Sequence, residues 1–311
     1  MKVSIVTTLY NSSLHMMEFY TRISTVVRPI TNNYEIIFVN DGSPDNSNEI
    51  ARDIVDADPK VKLIDLSRNF GHHKAVMAGL NHACGDLVFL IDCDLEEAPE
   101  LLGLFYSEMK KATDLDVIYG VQKERKGGVI EKYGGKIFYK LFNKVSEFKV
   151  NEGALTVRLM SKRFVSSINK LKEKELYMAG LFEYVGFKTK KITVTKDSSY
   201  RTSYTLSKRI HLMISALVSF SSFPLVLSFY MGFLLAVTSV FFGIYLIVQK
   251  ILYHSYIVSG WTSVMVSIWF LGGVLLMSTG IIGVYLSKIF NEVKNRPTYI
   301  VKTIYKNQNI D

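Results

Sequence analysis

Between Ile210 and Ser287 the chain carries one Asp, Glu, Lys or Arg, namely Lys250. Taken as one helix, the uncharged Ile210–Gln249 stretch of 40 residues would run about 60 Å at ~1.5 Å per residue. A bilayer core is only ~30 Å thick. The Ser219-Phe220-Ser221-Ser222 break and Pro224, suited to a first helical turn, divide the stretch. Two spans are therefore expected, at about Pro224–Val248 and Thr262–Leu286. Lys208 and Arg209 precede the first, and Lys288, Lys294, Arg296, Lys302 and Lys306 follow the second. By the positive-inside rule both ends are cytoplasmic, which predicts a cell-membrane protein with two spans.

The first two hundred residues mix charged and apolar residues as a water-exposed domain does. The predicted division is 1–200 as a cytoplasmic domain, 201–222 as a juxtamembrane segment, 223–288 as the two spans and 289–311 as a cytoplasmic tail. Cys84 and Cys93 suggest no disulfide framework. The net charge of +9 comes without a nucleic-acid motif, so anionic lipid and phosphate are the expected partners rather than nucleic acid.

Short β-rich runs alternate with helical patterns, which argues for an α/β domain with a parallel sheet. Strands are expected at Val3–Leu9, Glu35–Asn40, Val61–Leu66, Leu87–Ile91 and Val117–Tyr119. Helices are expected at Leu14–Val27, Ser47–Ala57, Lys74–Ala83 and Glu100–Lys111. Two amphipathic stretches, Ile130–Val145 with lysines at i+4 spacing and Leu206–Val218, suit a membrane surface.

In open parallel sheets ligands bind at the carboxyl ends of the strands, and the polar clusters lie there. Asp92-Cys93-Asp94 ends an apolar strand. Two carboxylates so spaced suit Mg²⁺ or Mn²⁺ bridging to substrate phosphates, with Glu96 as a third oxygen. Asp41 follows the second strand, placed to accept from a base N–H. Ser67–Lys74, with Arg68, Gly71 and Lys74, brings basic groups to a helix start, a cradle for phosphate.

In this order the motifs resemble the family 2 glycosyltransferases, in particular their polyprenyl-phosphate branch. The resemblance is carried by Tyr10-Asn11, Asn40-Asp41-Gly42-Ser43, Ser67–His72, Asp92–Leu95 with Pro99-Glu100, and Tyr119-Gly120-Val121. Arg158-Leu159-Met160-Ser161, Ser203-Tyr204-Thr205-Leu206, Gly260-Trp261-Thr262 and Glu292–Pro297 continue it to the C-terminal region. It implies a GT-A fold, a Rossmann-like domain with a mainly parallel sheet. It also implies an inverting hexosyltransferase that moves a sugar from a nucleotide, UDP-glucose by default, to undecaprenyl phosphate for cell-envelope glycan modification. Thr8, Tyr10, Asn11, Asp41, Arg68, Gly71, Lys74 and Asp92 would bind the nucleotide sugar. Asp92, Asp94 and Glu96 would hold the metal, Asp94 and Arg158 would act on the diphosphate, and Arg201, Ser203 and Tyr204 would form a lid.

Four positions depart from the family's pattern. Thr8 and Ser12 replace a Pro and a Glu, Glu96 replaces a Gln, and Thr156 stands where many bacterial relatives have an Asp, a candidate base. A phosphate monoester, with a second pKa near ~6, is largely dianionic at neutral pH and needs no strong base. A processive polysaccharide synthase would carry Gln-x-x-Arg-Trp, yet neither Trp261 nor Trp269 follows an Arg. An inactive scaffold partnering a flippase would have no use for Asp41, Asp92, Asp94 and Arg158. Small residues align on both spans, Gly232, Ala236, Ser239 and Gly243 on one and Gly273, Gly280, Gly283 and Ser287 on the other. Such faces predict close helix packing, within the pair or in a homo-oligomer.

Overall fold

The computed structural model describes residues 1–112, 114–122, 144, 151, 153–174, 178–195, 221–253 and 260–307. The chain forms two compact units. One comprises Met1–Asn143, Phe148–Tyr204 and Arg296–Asp311, the other Lys144–Glu147 and Thr205–Asn295.

In the first unit, β1 (Val3–Leu9), β2 (Tyr34–Asn40), β3 (Val61–Leu66) and β4 (Leu87–Leu90) run parallel in the order β3-β2-β1-β4. Every residue of β2 is buried, as expected where helices cover both faces of a parallel sheet. β5 (Val117–Gln122), β6 (Ala154–Ser161) and β7 (Thr189–Val194) extend the sheet beyond β4, with β6 antiparallel to both β4 and β5. The helices are α1 (Met16–Val27), α2 (Ser47–Ala57), α3 (His72–His82), α4 (Leu101–Lys111), α5 (Lys162–Ile168) and α6 (Met178–Tyr184). The expected strands and helices are all present, with ends shifted by a few residues. α3 lies close on β1 and β2 because Gly79 has no side chain; a Cβ there would stand 2.3 Å from Val6 Cγ1.

Strand order reverses at β1, where the connection through β3 returns to β4 on the other side. That reversal opens a crevice at the carboxyl ends of β1 and β4.

The segment expected to be a tail, 289–311, is instead largely structural. β8 (Val301–Lys306) pairs antiparallel with β3 at the sheet edge. Its alternating burial is the period-2 signature of a half-covered strand. Tyr305 receives the Arg52 guanidinium 4.4 Å from its ring centroid, and Asn81 Nδ2 donates to the Tyr299 hydroxyl at 2.9 Å. Six residues are too few to show this pattern against the basic composition around them.

The second unit contains α7 (Phe223–Tyr253) and α8 (Trp261–Val293). Among the described residues one helix is long and apolar enough to cross a membrane, Ser267–Val293, with a mean hydropathy of 1.8 and none of its most apolar window buried. The apolar helical part found in α7, Phe223–Ser239, is shorter. Trp269 is 80 % exposed and Phe229 67 %, surface that water does not favour. Among the described residues, the glycines of the small-residue faces have open space around them. A Cβ on Gly232, Gly273, Gly280 or Gly283 would meet no atom within 4 Å. Ile130–Val145, apart from Lys144, and Leu206–Val218 lie outside the described residues.

Candidate active site

The loops after β1 and β2 are stitched together by Asp45. Ser43 and Ser47 donate their hydroxyls to Asp45 Oδ1 at 2.5 and 2.6 Å, and the Ser13 amide donates to Oδ2 at 3.0 Å. These donors outweigh burial and hold the Asp45 carboxyl well below the usual range. The Asn11 amide donates to Ser43 Oγ at 2.8 Å, from a left-handed backbone with φ of 54°. Ser12, the departure from the family's Glu, accepts from the Tyr10 amide at 3.1 Å. Its role here is to shape the turn, while Tyr10 itself is half exposed.

Asp41 is 2 % exposed, and both its carboxylate oxygens face the β3–α3 loop. The amide of Phe70 donates to Oδ1 at 2.7 Å and that of Gly71 to Oδ2 at 3.0 Å. Burial pushes its pKa up against the pull of these amides, His72 and Lys74. Asp41 thereby fixes the loop that carries Arg68 and Gly71 and leads into the first turn of α3, with Lys74. Arg68 lies over the Phe70 ring at 4.3 Å. Gly42 lets this loop close, since a Cβ there would stand 2.5 Å from the Asn69 nitrogen.

At the crevice, Thr8 Oγ1 is 3.1 Å from His72 Nδ1, and His72 Nε2 is 3.7 Å from Asp92 Oδ1. The first turn of α3 thereby joins the ends of β1 and β4. His72 closes the Ser67–His72 motif, and its partners lie 64 and 20 positions away in sequence, so only the fold brings them together. Beyond Asp94 the chain reverses at Leu95, whose φ is 61°, and the Glu96 amide donates to Asp94 Oδ1 at 3.0 Å. Among the described residues no group of three His, Cys, Asp or Glu side chains could hold a metal. The described side chains of Asp92, Asp94 and Glu96 do not form such a group. Two hard carboxylates at a strand end still fit Mg²⁺ or Mn²⁺, which complete their shells with water and substrate phosphate oxygens.

Arg158 differs from expectation. It pairs with Leu90 across β4 and β6 and is 6 % exposed. Its Nε and NH2 donate to the carbonyls of Thr156 and Leu155 at 3.0 and 2.8 Å, and its plane lies 3.6 Å from the Phe182 ring centroid. Desolvation lowers its pKa to about 10, opposed by Glu97, Glu183, Tyr119 and Asp92. It remains a cation at neutral pH, held inside the protein rather than offered to a phosphate. Glu97, 2 % exposed, and Glu183 were not foreseen. Glu97 follows the aspartate motif by three residues, and that proximity was the available signal. Arg201, Ser203 and Tyr204 lie outside the described residues.

The model of the family described as "Glycosyl transferase family 2" matches residues 4–168, from β1 through α5. A Mycobacterium tuberculosis (strain CDC 1551) relative described as a glycosyltransferase is 44 % identical over 305 residues, covering 98 % of this chain and 89 % of its own. The bactoprenol glucosyl transferase of Shigella phage SfII is 33 % identical over 308 residues, covering 98 % and 99 %. Among solved structures, glucosyl-3-phosphoglycerate synthase from Mycobacterium tuberculosis, in complex with Mn²⁺, UDP and phosphoglyceric acid, superposes with a TM-score of 0.51. It is 17 % identical and covers 70 % of this chain and 78 % of its own, a likeness of fold. With a GT-A sheet, the aspartate pair at the crevice and these relatives, the chain belongs to glycosyl transferase family 2 and is a hexosyltransferase.

Proposed function

We propose that this enzyme transfers a hexose from a nucleotide sugar, UDP-glucose by default, to a polyprenyl phosphate at the cytoplasmic face of a membrane, with inversion. The supporting observation is the near full-length match to a bactoprenol glucosyl transferase, which includes the apolar helices as well as the catalytic unit. In this reading Asp92 and Asp94 hold Mg²⁺ or Mn²⁺ with the donor diphosphate. When bound, that ion neutralises the charge left on the departing nucleoside diphosphate. His72 orients Asp92 against Thr8. The amides fixed by Asp41, together with Arg68 and Lys74, line the donor side. The acceptor phosphate, already ionised, attacks the anomeric carbon without a strong base. α7 and α8 both cross the bilayer, Arg201, Ser203 and Tyr204 close over the donor, and a homo-oligomer forms through the glycine-bearing faces.

The experiment uses membranes containing the full chain, undecaprenyl phosphate and labelled UDP-glucose, UDP-galactose or GDP-mannose. Label should enter the lipid from one donor, and chelation or Asp94→Asn should abolish it without changing the melting temperature. Lipid labelling by Asp94→Asn at the parent's rate with chelator present, or no labelling from any donor, would overturn the reading.

A further inference from the structure

Sheet register places Thr8 beside the aspartate motif. β1 and β4 pair with Val6 opposite Leu90, and the Ile91 amide donates to the Val6 carbonyl at 3.1 Å. Two residues further along each parallel strand stand Thr8 and Asp92. The period of two turns the Thr8 side chain to the face that Val6 uses. α3 covers that face, since a Cβ on its Gly79 would meet Val6 Cγ1 before any other atom.

His72, in the first turn of α3, stands between the two. Its Nδ1 lies 3.1 Å from Thr8 Oγ1 and its Nε2 lies 3.7 Å from Asp92 Oδ1. The Phe70 and Gly71 amides on Asp41 fix the backbone that leads to His72, but they do not fix the torsion of its ring. A carboxylate only accepts, so the nitrogen that faces Asp92 must carry a proton. Which ring nitrogen carries it is set by the hydrogen bond that the other makes. A hydroxyl at position 8 donates to Nδ1 of the neutral ring, which puts the proton on Nε2, or accepts from Nδ1–H of the imidazolium. Either way Nε2–H is aimed at Asp92. Proline, the family's usual residue where Thr8 stands, has no side-chain group that could do this.

We infer that Thr8 is a positioning residue for the metal-holding carboxylate. Through His72 its hydroxyl restrains Asp92, and so sets how much a divalent ion strengthens nucleotide binding. The inference rests on the donor and metal reading above and deepens it. Groups that orient metal ligands from outside the ion's own shell carry ~10–100-fold in metal affinity. The side chains of His72 and Asp92 are 44 % and 28 % exposed, so water competes with this contact and the lower end of that range is expected.

The test measures dissociation constants of UDP and of GDP for the full-length protein in detergent, once with Mn²⁺ and once with EDTA. For the nucleotide that binds, the ratio of the two constants is the gain from the ion. Thr8→Val keeps the branched shape and removes the hydroxyl; it should cut that gain by about tenfold, with the EDTA constant and the melting temperature unchanged. Thr8→Ser, which restores the hydroxyl, should keep the gain. His72→Phe should match Thr8→Val, and the double variant should lose no more than either alone, because both act through one carboxylate. Should Thr8→Val fail to fold, His72→Phe and Thr8→Ser decide by the same ratios. A gain that Thr8→Val and His72→Phe leave intact overturns the inference, as does equal weakening with Mn²⁺ and with EDTA, which would make Thr8 a direct nucleotide contact. Failure of both nucleotides to bind, or no gain from Mn²⁺ in the parent, instead overturns the donor and metal reading and takes the inference with it.

Discussion

The Asp41 carboxylate holds the backbone amide of Gly71 at 3.0 Å, tying the end of β2 to the first residues before α3. With the Phe70 amide on the other oxygen, Asp41 acts as a clamp on the loop leading to His72. Asp41→Asn replaces one acceptor oxygen by an NH₂ group facing a donor. The expected loss is ~1–3 kcal/mol of stability, the cost of leaving a buried donor unmet, with a raised KM for the nucleotide sugar. Thermal melting and donor titration check this; an unchanged melting temperature would show that the two amides find other partners.

Two glycines should respond oppositely to alanine. At Gly42 the new Cβ would press on the backbone of Arg68 and Asn69 at 2.5–2.7 Å, and backbone cannot swing aside. Overpacking of that kind costs ~1–3 kcal/mol, and the displaced loop should weaken donor binding. Gly103 in α4 has open space around it, so Gly103→Ala should stabilise by ~0.5–1 kcal/mol. Chemical denaturation of both variants distinguishes them.

Glu35 supplies an acid limb to stability. Burial alone would raise its pKa, but Ser4, Lys62 and the Cys84 amide hold it at about 2, below its ordinary 4.5. A depressed folded pKa contributes stability that is complete above the unfolded value and lost as pH falls through the folded one. The window is therefore from about 4.5 down to about 2. Glu35→Gln should lower stability at neutral pH and flatten the pH dependence across that window in melting curves. A parallel downward shift with the limb intact would assign the acid sensitivity elsewhere.

Thr156 occupies the position of the family's candidate base, yet the group used by Arg158 is its backbone carbonyl, at 3.0 Å. Thr156→Ala keeps that carbonyl. Turnover should fall by about tenfold or less, whereas removing a general base costs ~10²–10⁴-fold. Steady-state kinetics with saturating acceptor decides; a loss in the larger range would make the hydroxyl part of the proton chemistry.

How much was legible in the chain follows from how local each cause is. β1, β2, β3 and β4 could be read because a buried parallel strand is a short apolar run between turn residues, and those residues are neighbours in sequence. The apolar α8 was legible for the same reason, since exclusion of charge over twenty or more residues is a property of the chain itself. Asp92 and Asp94 share a turn, so their pairing needed no fold. What only the tertiary structure decided depends on register between distant segments. β4 against β6 sets Leu90 beside Arg158 and so turns a presumed phosphate ligand into the centre of a buried cluster with Glu97 and Glu183. The return through α3 from β3 to β4 sets His72 between Thr8 and Asp92. β8 earns its place only because β3 offers it an unpaired edge, and a row of free N–H and C=O groups cannot be seen from the residues that will satisfy it.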